Sequence, residues 1–235
     1  MFISNPSGLS AQEPVPDDTL RPKVSFWKKY LQKPTGVRLG VDVAPLIRNF
    51  LDESIRQYAL SGELLLGDQL FIAADAGIQE IRRGERVSYD YVSNGMYVRL
   101  GVDYNLWQGN TALRGGLFTV GLRYGLAFFR HALTYSLDTT YWEPGVSGQL
   151  EEPNLAAHWL ELGGSLRARL LQNLYIGPYA RFAFRLAHTQ TERITVNDIP
   201  GYGYNNGLQL HWGYYIMYRI QWGHNRRQVP TKATD

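Results

Sequence analysis

The sequence predicts an all-β fold: an eight-stranded antiparallel up-and-down transmembrane β-barrel with a short N-terminal periplasmic segment. Three observations lead there. From residue 36 onward apolar residues recur at every second position, the period of a strand with one apolar face. Short and long links alternate strictly, which gathers the tight turns at one end of the sheet and the long loops at the other, as in outer-membrane barrels. The apolar face carries no charge over six strands, whereas each charge facing mid-bilayer would cost about 2–4 kcal/mol.

Residues 1–35 read as a signal remnant, a linker and the short periplasmic segment. "GLSAQEPVPDD" has the form of a signal-peptide end cut after Ala11, although no positively charged n-region or apolar h-region precedes it. Residues 12–24 are polar and Pro-rich, hence a linker. Ser25 to Lys33 could form two helical turns capped by Ser25. Its basic, aromatic part, Phe26 to Tyr30, suits the membrane interface, the periplasmic mouth or a partner.

The barrel is expected over 36–222, with residues 223–235 as a periplasmic tail. Strand one (36–47) sets Val37, Leu39, Val41 and Val43 against Arg38, Gly40 and Asp42. Strand two (57–66) sets Tyr58, Leu60 and Leu64 against Ser61 and Glu63; strand three (69–79) sets Leu70, Ile72, Ala76 and Ile78 against Asp75, Gly77 and Gln79. Strand four (95–107) alternates Val98, Leu100 and Val102 with Arg99, Gly101 and Asp103, and strand five (116–129) alternates Phe118, Leu122 and Tyr124 with Gly121, Arg123 and Gly125. Strands six and seven occupy "LELGGSLRARLLQNLYIGPYARFAFRL", Leu160 to Leu186, turning on Gln172-Asn173. Strand eight (207–222) sets Leu208, Trp212, Ile216 and Trp222 against His211, Gly213, Tyr215 and Arg219. The short links are Gly67-Asp68, Gln108 to Gly115 and Gln172-Asn173; the long ones are 48–56, 80–94, 130–157 and 188–206.

Which face meets which solvent follows from composition. The polar face holds Asp42, Glu63, Asp75, Asp103 and Glu161 with Arg38, Arg99, Arg123, Arg167, Arg169, Arg181, Arg185 and Arg219, both signs together as an ion-paired interior requires. Its many glycines suit a crowded lumen. Aromatics such as Tyr58, Tyr104, Phe128, Trp212, Tyr218 and Trp222 sit toward strand ends on the apolar face, where interface girdles belong. Lysine occurs only at 23, 28, 29, 33 and 232; arginine is the cation favoured in a buried network of pairs. The expected interior network is therefore Arg38, Asp42, Glu63, Asp75, Arg99, Asp103, Arg123, Glu161, Arg167, Arg181 and Arg219, in a lumen filled rather than open. A soluble lipocalin-like barrel, with the faces reversed, is the competing architecture.

The chain's 235 residues fit one large β domain or two small ones. A net charge of +3 with dispersed basic residues gives no phosphate-tracking patch, so no nucleic acid is expected. The absence of cysteine excludes a disulfide scaffold, a thiolate metal site and a cysteine nucleophile. No cofactor and no metal site is expected. His131, Ser136 and Asp138 form a weak candidate for rim catalysis; His211, on the inner face, reads as a hydrogen-bonded interior histidine or else a catalytic or ligand residue; His158 and His188 lie near loop bases. Asp138 with Glu151-Glu152 could hold a surface cation. Pro178, in mid-strand on the outward face, suggests a bulge or a break in pairing. "IPGYGYNNG", Ile199 to Gly207, could be a docking surface or a tight turn.

Specific strings add to the pattern. "GVRLGVDVAPLIRNFLDE", "LFIAADAGIQE", "NGMYVRLGVDYNL", "GLRYGLAFF", "YWEP" and "AHWLELGGSLRARLLQNLYIG" resemble a family of small outer-membrane β-barrels of Bacteroidota known only as a domain of unknown function. The resemblance covers roughly 36–222 and is most specific from Asn154 to Gly177, where His158, Trp159 and Glu161 are fixed beyond what alternation requires. It implies signal-peptide export, outer-membrane residence, no enzymatic activity, and an accessory role beside the outer-membrane protein assembly machinery. The expected partners are outer-membrane lipid and other outer-membrane or periplasmic proteins. A lipid-modifying outer-membrane enzyme is the alternative function.

Overall fold

The computed structural model describes residues 33–84, 89–107, 115–137 and 145–222. The strands are β1 (Gly36–Asp42), β2 (Ile55–Leu66), β3 (Leu70–Arg83), β4 (Tyr89–Asn105), β5 (Leu117–Leu137), β6 (Val146–Arg169), β7 (Leu174–His188), β8 (Asp198–Ile199), β9 (Gly203–Tyr204) and β10 (Leu208–Gln221); one helix, α1 (Val43–Leu51), follows β1. Eight of the strands close into an antiparallel barrel in chain order, with β10 returning to β1 and the β8–β9 pair inserted before β10. The fold is the eight-stranded up-and-down barrel the alternation predicts.

Side chains obey the period of two around the ring. Gln57, Ser61 and Glu63 of β2, Asp75 and Gln79 of β3, and Arg99 and Asp103 of β4 point inward and are buried. Leu60, Ile72, Ile78, Leu100, Leu122, Phe182 and Trp212 point outward and are exposed. On β5 the outward row from Phe118 to Phe128 is wholly apolar. Such a row is about 25 Å tall once a strand is tilted near 45°. Outward charges begin only above it, at Arg56, Glu80, Arg82, Asp90, Arg130 and Glu151, all toward the end that carries the long loops.

That boundary explains where the expected strand ends fall short. β3 continues to Arg83 rather than 79, β4 starts at Tyr89 rather than 95, and β5 and β6 pair from Leu137↔Val146 inward, through most of the expected 130–157 link. There the outward residues turn polar while the ladder continues, so apolar alternation is lost but the strands are not. The pairing shifts between Phe129 and His131, opposite the positive-φ residue Asn154. At Pro178 pairing with β6 lapses between Ser165↔Tyr179 and Ala168↔Ile176 with the register kept, a break without a bulge.

The largest departure is in the first strand. It stops at Asp42, not at residue 47, and a helix takes over from Val43 to Leu51, covering the end of the expected strand and the first part of the expected 48–56 link. Asp42 Oδ1 accepts from Ala44 N at 3.1 Å, an N-cap. Pro45 could not donate to a strand ladder, but fits the first helical turn, where its missing N–H costs nothing. Leu46, Ile47, Phe50 and Leu51 then fall on one exposed apolar side.

Two apolar clusters fill the lumen above and below the charges. Leu65, Phe71, Leu117, Tyr175 and Met217 pack toward the turn end, and Tyr97, Phe129, Leu155, Trp159, Val196, Ile199 and Tyr202 toward the loop end. The expected helical turns at Ser25–Lys33 (apart from Lys33), the signal remnant, the 223–235 tail and Asp138 lie outside the described residues.

Candidate functional site

The charged residues of the lumen form one alternating chain. Arg38 pairs with Glu63. Glu63 also meets Arg167 at 2.6 Å, and Arg167 reaches Asp103 at 3.7 Å. Asp103 pairs with Arg123 at 2.7 Å, and Arg123 with Asp75. Asp75 lies 3.4 Å from Arg181, Arg181 lies 3.6 Å from Glu161, and Glu161 lies 2.8 Å from Arg99. Strands β1 to β7 all contribute, so the chain ties together seven walls of the barrel. Aromatic faces take up further guanidinium surface: Arg38 over Phe71 at 4.3 Å, Arg99 over Tyr97 at 4.6 Å and Arg181 over Tyr179 at 4.4 Å. Trp159 Nε1 donates to Glu161 at 2.7 Å.

Two expected members stand apart from that chain. Asp42 accepts from the Tyr179 hydroxyl and caps α1, so its partners are a phenol and a helix N-terminus. Arg219 is half-buried at the turn end, across from Arg38 in the β1–β10 register, and makes no ion pair among the described residues. The aromatic lining was not singled out from the sequence. Its signal was parity: Tyr97, Trp159, Tyr175 and Tyr179 share the odd-numbered face with the charges.

The loop before β10 closes the lumen from the loop end. Ile194, Val196, Ile199 and Tyr202 are buried, with the Tyr202 ring edge-on to Trp159 at 5.7 Å. Both backbone groups of Gly201 are held by inward side chains: its N–H donates to Gln79 at 2.7 Å and its carbonyl accepts from Arg99 at 2.6 Å. Gly201 has φ +76 and lies against the Tyr97 ring, so a Cβ there would be both strained and blocked. Arg83 clamps Asp198 through two hydrogen bonds of 2.6 and 3.0 Å. His211 Nε2 donates to the Tyr202 carbonyl at 2.7 Å. The "IPGYGYNNG" stretch is thus more than a tight turn: Ile199 to Tyr202 are buried as a plug, while Tyr204, Asn206 and Gly207 stay exposed.

Beside the plug, α1 completes the wall. β1 ends at Asp42, leaving the edge of β2 over Ile55–Ala59 and of β10 over Leu208–Tyr214 without a strand between them. The Asn49 carboxamide takes the place of a ladder partner at Gln57, donating to its carbonyl at 2.8 Å and accepting from its N–H at 2.7 Å. Arg48 donates to the Trp212 carbonyl at 3.4 Å on the other edge. A polar cavity of about 130 Å³ lies behind this seam, lined by Gln57, Gln79, Arg99, Tyr179 and His211 among others.

The catalytic candidate does not assemble. His131 is buried at the rim, between the Tyr91 hydroxyl at 3.2 Å and Glu152 at 2.9 Å. Ser136 is exposed and five residues along the same strand, on the opposite face. His158 faces outward against Tyr124 at 3.0 Å. Among the described residues no group of three or more His, Cys, Asp and Glu is placed to hold a metal.

A family model described as "Domain of unknown function (DUF6048)" matches residues 2–222. The chain belongs to this family. The ion chain, the plug and the α1 seam all fall inside the family's matched span. No curated protein matches the chain significantly. Among solved structures, the N-terminal β-barrel domain of OprF from Pseudomonas aeruginosa is similar at 13% identity and TM-score 0.38, over 80% of this chain and all of that one. Ail, the attachment invasion locus protein of Yersinia pestis, is similar at 11% identity and TM-score 0.36, over 80% of this chain and 99% of that one. Neither likeness adds to what the strand topology itself establishes.

Proposed function

We propose that the chain is a non-enzymatic outer-membrane barrel that serves as a structural or accessory subunit of an outer-membrane complex, with the outer-membrane protein assembly machinery as the first complex to test. The observation that carries this reading is the filled lumen. Nine charged residues in one ion-paired chain, two apolar clusters and the plug occupy the space a solute would need. A barrel with its interior so committed acts through its outer wall and its loops.

Membrane residence is supported by the outer band. It is apolar, free of charge, and as tall as a hydrocarbon core requires. In water the same band would be an exposed apolar surface far beyond the few hundred Å² that soluble monomers present. The lipid-modifying alternative needs a nucleophile beside a base, and His131 and Ser136 stand on opposite faces of β5.

The test is gentle detergent extraction of native membranes, followed by affinity capture of the tagged chain and mass spectrometry. The chain is expected to arrive with larger outer-membrane proteins in reproducible stoichiometry. Recovery only as a free species under several mild detergents would overturn the subunit reading.

A further inference from the structure

Outside the lumen, one surface of the barrel is not a smooth wall. Beneath α1 and across β2, β3 and β4 runs an apolar groove of about 520 Å³, bounded by Leu46, Tyr58, Leu60, Ala76, Ile78 and Met96. It arises because β1 ends early, so that α1 stands proud of the strands, and because Ala76 gives the outward face of β3 a low floor. Directly above, on the same three strands and against the same helix, is an open polar cavity of about 900 Å³. The two are about two ladder rungs apart: Tyr58↔Ile78↔Met96 frames the groove, and Arg56 and Arg82 line the cavity.

The polar cavity carries both signs. Arg56 and Arg82 face Asp52, Glu53 and Asp90. Arg82 is engaged by Glu80 at 3.0 Å; Arg56, across the ladder from the same Glu80, is the cation nearer the groove. Asp52 accepts from the Ser54 hydroxyl at 2.6 Å and from its N–H at 2.9 Å, and these bonds hold its carboxyl below the usual carboxylate range. The cavity opens where the outward charges begin, which is the level of lipid head groups if the apolar band is the membrane span.

We propose that the groove and the cavity above it are one binding site for a phospholipid, an acyl chain lying in the groove and a zwitterionic phosphate–ammonium head group in the cavity. Arg56 meets the phosphate and the carboxylates of Asp52, Glu53 and Asp90 meet the ammonium. The inference rests on membrane residence and adds to it a specific lipid on one side of the barrel. Charge complementarity chooses the head: a purely anionic lipid would leave the carboxylates repelled.

The full chain, purified in detergent, is tested by native mass spectrometry with added phosphatidylethanolamine or phosphatidylglycerol. One phosphatidylethanolamine is expected to remain bound at activation energies that strip annular lipid. A76W and V98W each fill the groove with apolar bulk on a lipid-facing position and should lower that occupancy about tenfold. R56Q should weaken it several-fold, and A180W, an outward position on β7 across the barrel from β3, should leave it unchanged. Equal retention by the wild type, A76W and V98W, equal loss in A180W, or tighter holding of phosphatidylglycerol would overturn the site or its head-group assignment. A chain that stays soluble and unfolded-resistant without detergent would instead remove the membrane reading itself, a separable result.

Discussion

Glu161 shows what a buried carboxylate does in this lumen. It is fully buried and serves Arg99, Arg181 and Trp159 at once. Removing its charge leaves two guanidinium groups in a low-dielectric space with fewer compensating oxygens. Breaking a buried pair from one side costs about 3–5 kcal/mol. E161Q is therefore expected to lower the unfolding free energy of the detergent-solubilised barrel by that order, read from urea titrations against the wild type. Gly201 makes the complementary case, through backbone rather than charge. G201A must take a positive φ and push into the Tyr97 ring, a strain of about 1–3 kcal/mol. Its expected effect is local: proteolysis within 189–206 becomes faster while the barrel's own unfolding midpoint moves little.

At the scale of elements, α1 stands in for a strand where β1 ends. The expected result of N49A is the loss of two hydrogen bonds at the open edge of β2, about 1–3 kcal/mol of local stability. Hydrogen exchange at the Gln57 amide should accelerate well beyond that at Glu63, which pairs on both sides. The sequence made the strands legible wherever one face met an apolar surrounding and the other a polar lumen, because side-chain direction alternates strictly. It failed where that contrast vanished. Above Arg82 and Arg130 the outward residues are polar, so the outer turns of β3 to β6 read as loops. α1 was hidden because the apolar run through Val43 continues the strand pattern, although Asp42 followed by Pro45 is a helix-start signal. For the lumen, parity places Arg38, Glu63, Arg123 and Glu161 on one face, but partners depend on register and barrel stagger, which no local pattern carries. The plug was illegible for a different reason: Ile194, Val196 and Ile199 are too few and too irregularly spaced to show a period.

For the molecule as a whole, the closed lumen and the apolar belt make two separate demands. A filled interior predicts that the chain reconstituted into planar bilayers gives no stepwise conductance; steady channels would mean that plug and ion chain leave a path. The belt predicts how each wall residue meets its surroundings, and the lack of native cysteine makes that directly measurable. Single cysteines at Leu122, Leu126, Thr119 and Ala127 of β5, spin-labelled in lipid vesicles, report accessibility to oxygen, which concentrates in hydrocarbon, and to a water-soluble nickel chelate. Labels at 122 and 126 should be relaxed strongly by oxygen and weakly by the chelate, while those at 119 and 127 are shielded from both. Strong chelate relaxation at 122 and 126, or strong oxygen relaxation at 119 and 127, would contradict a barrel that wears its leucines against lipid and seals its arginines within.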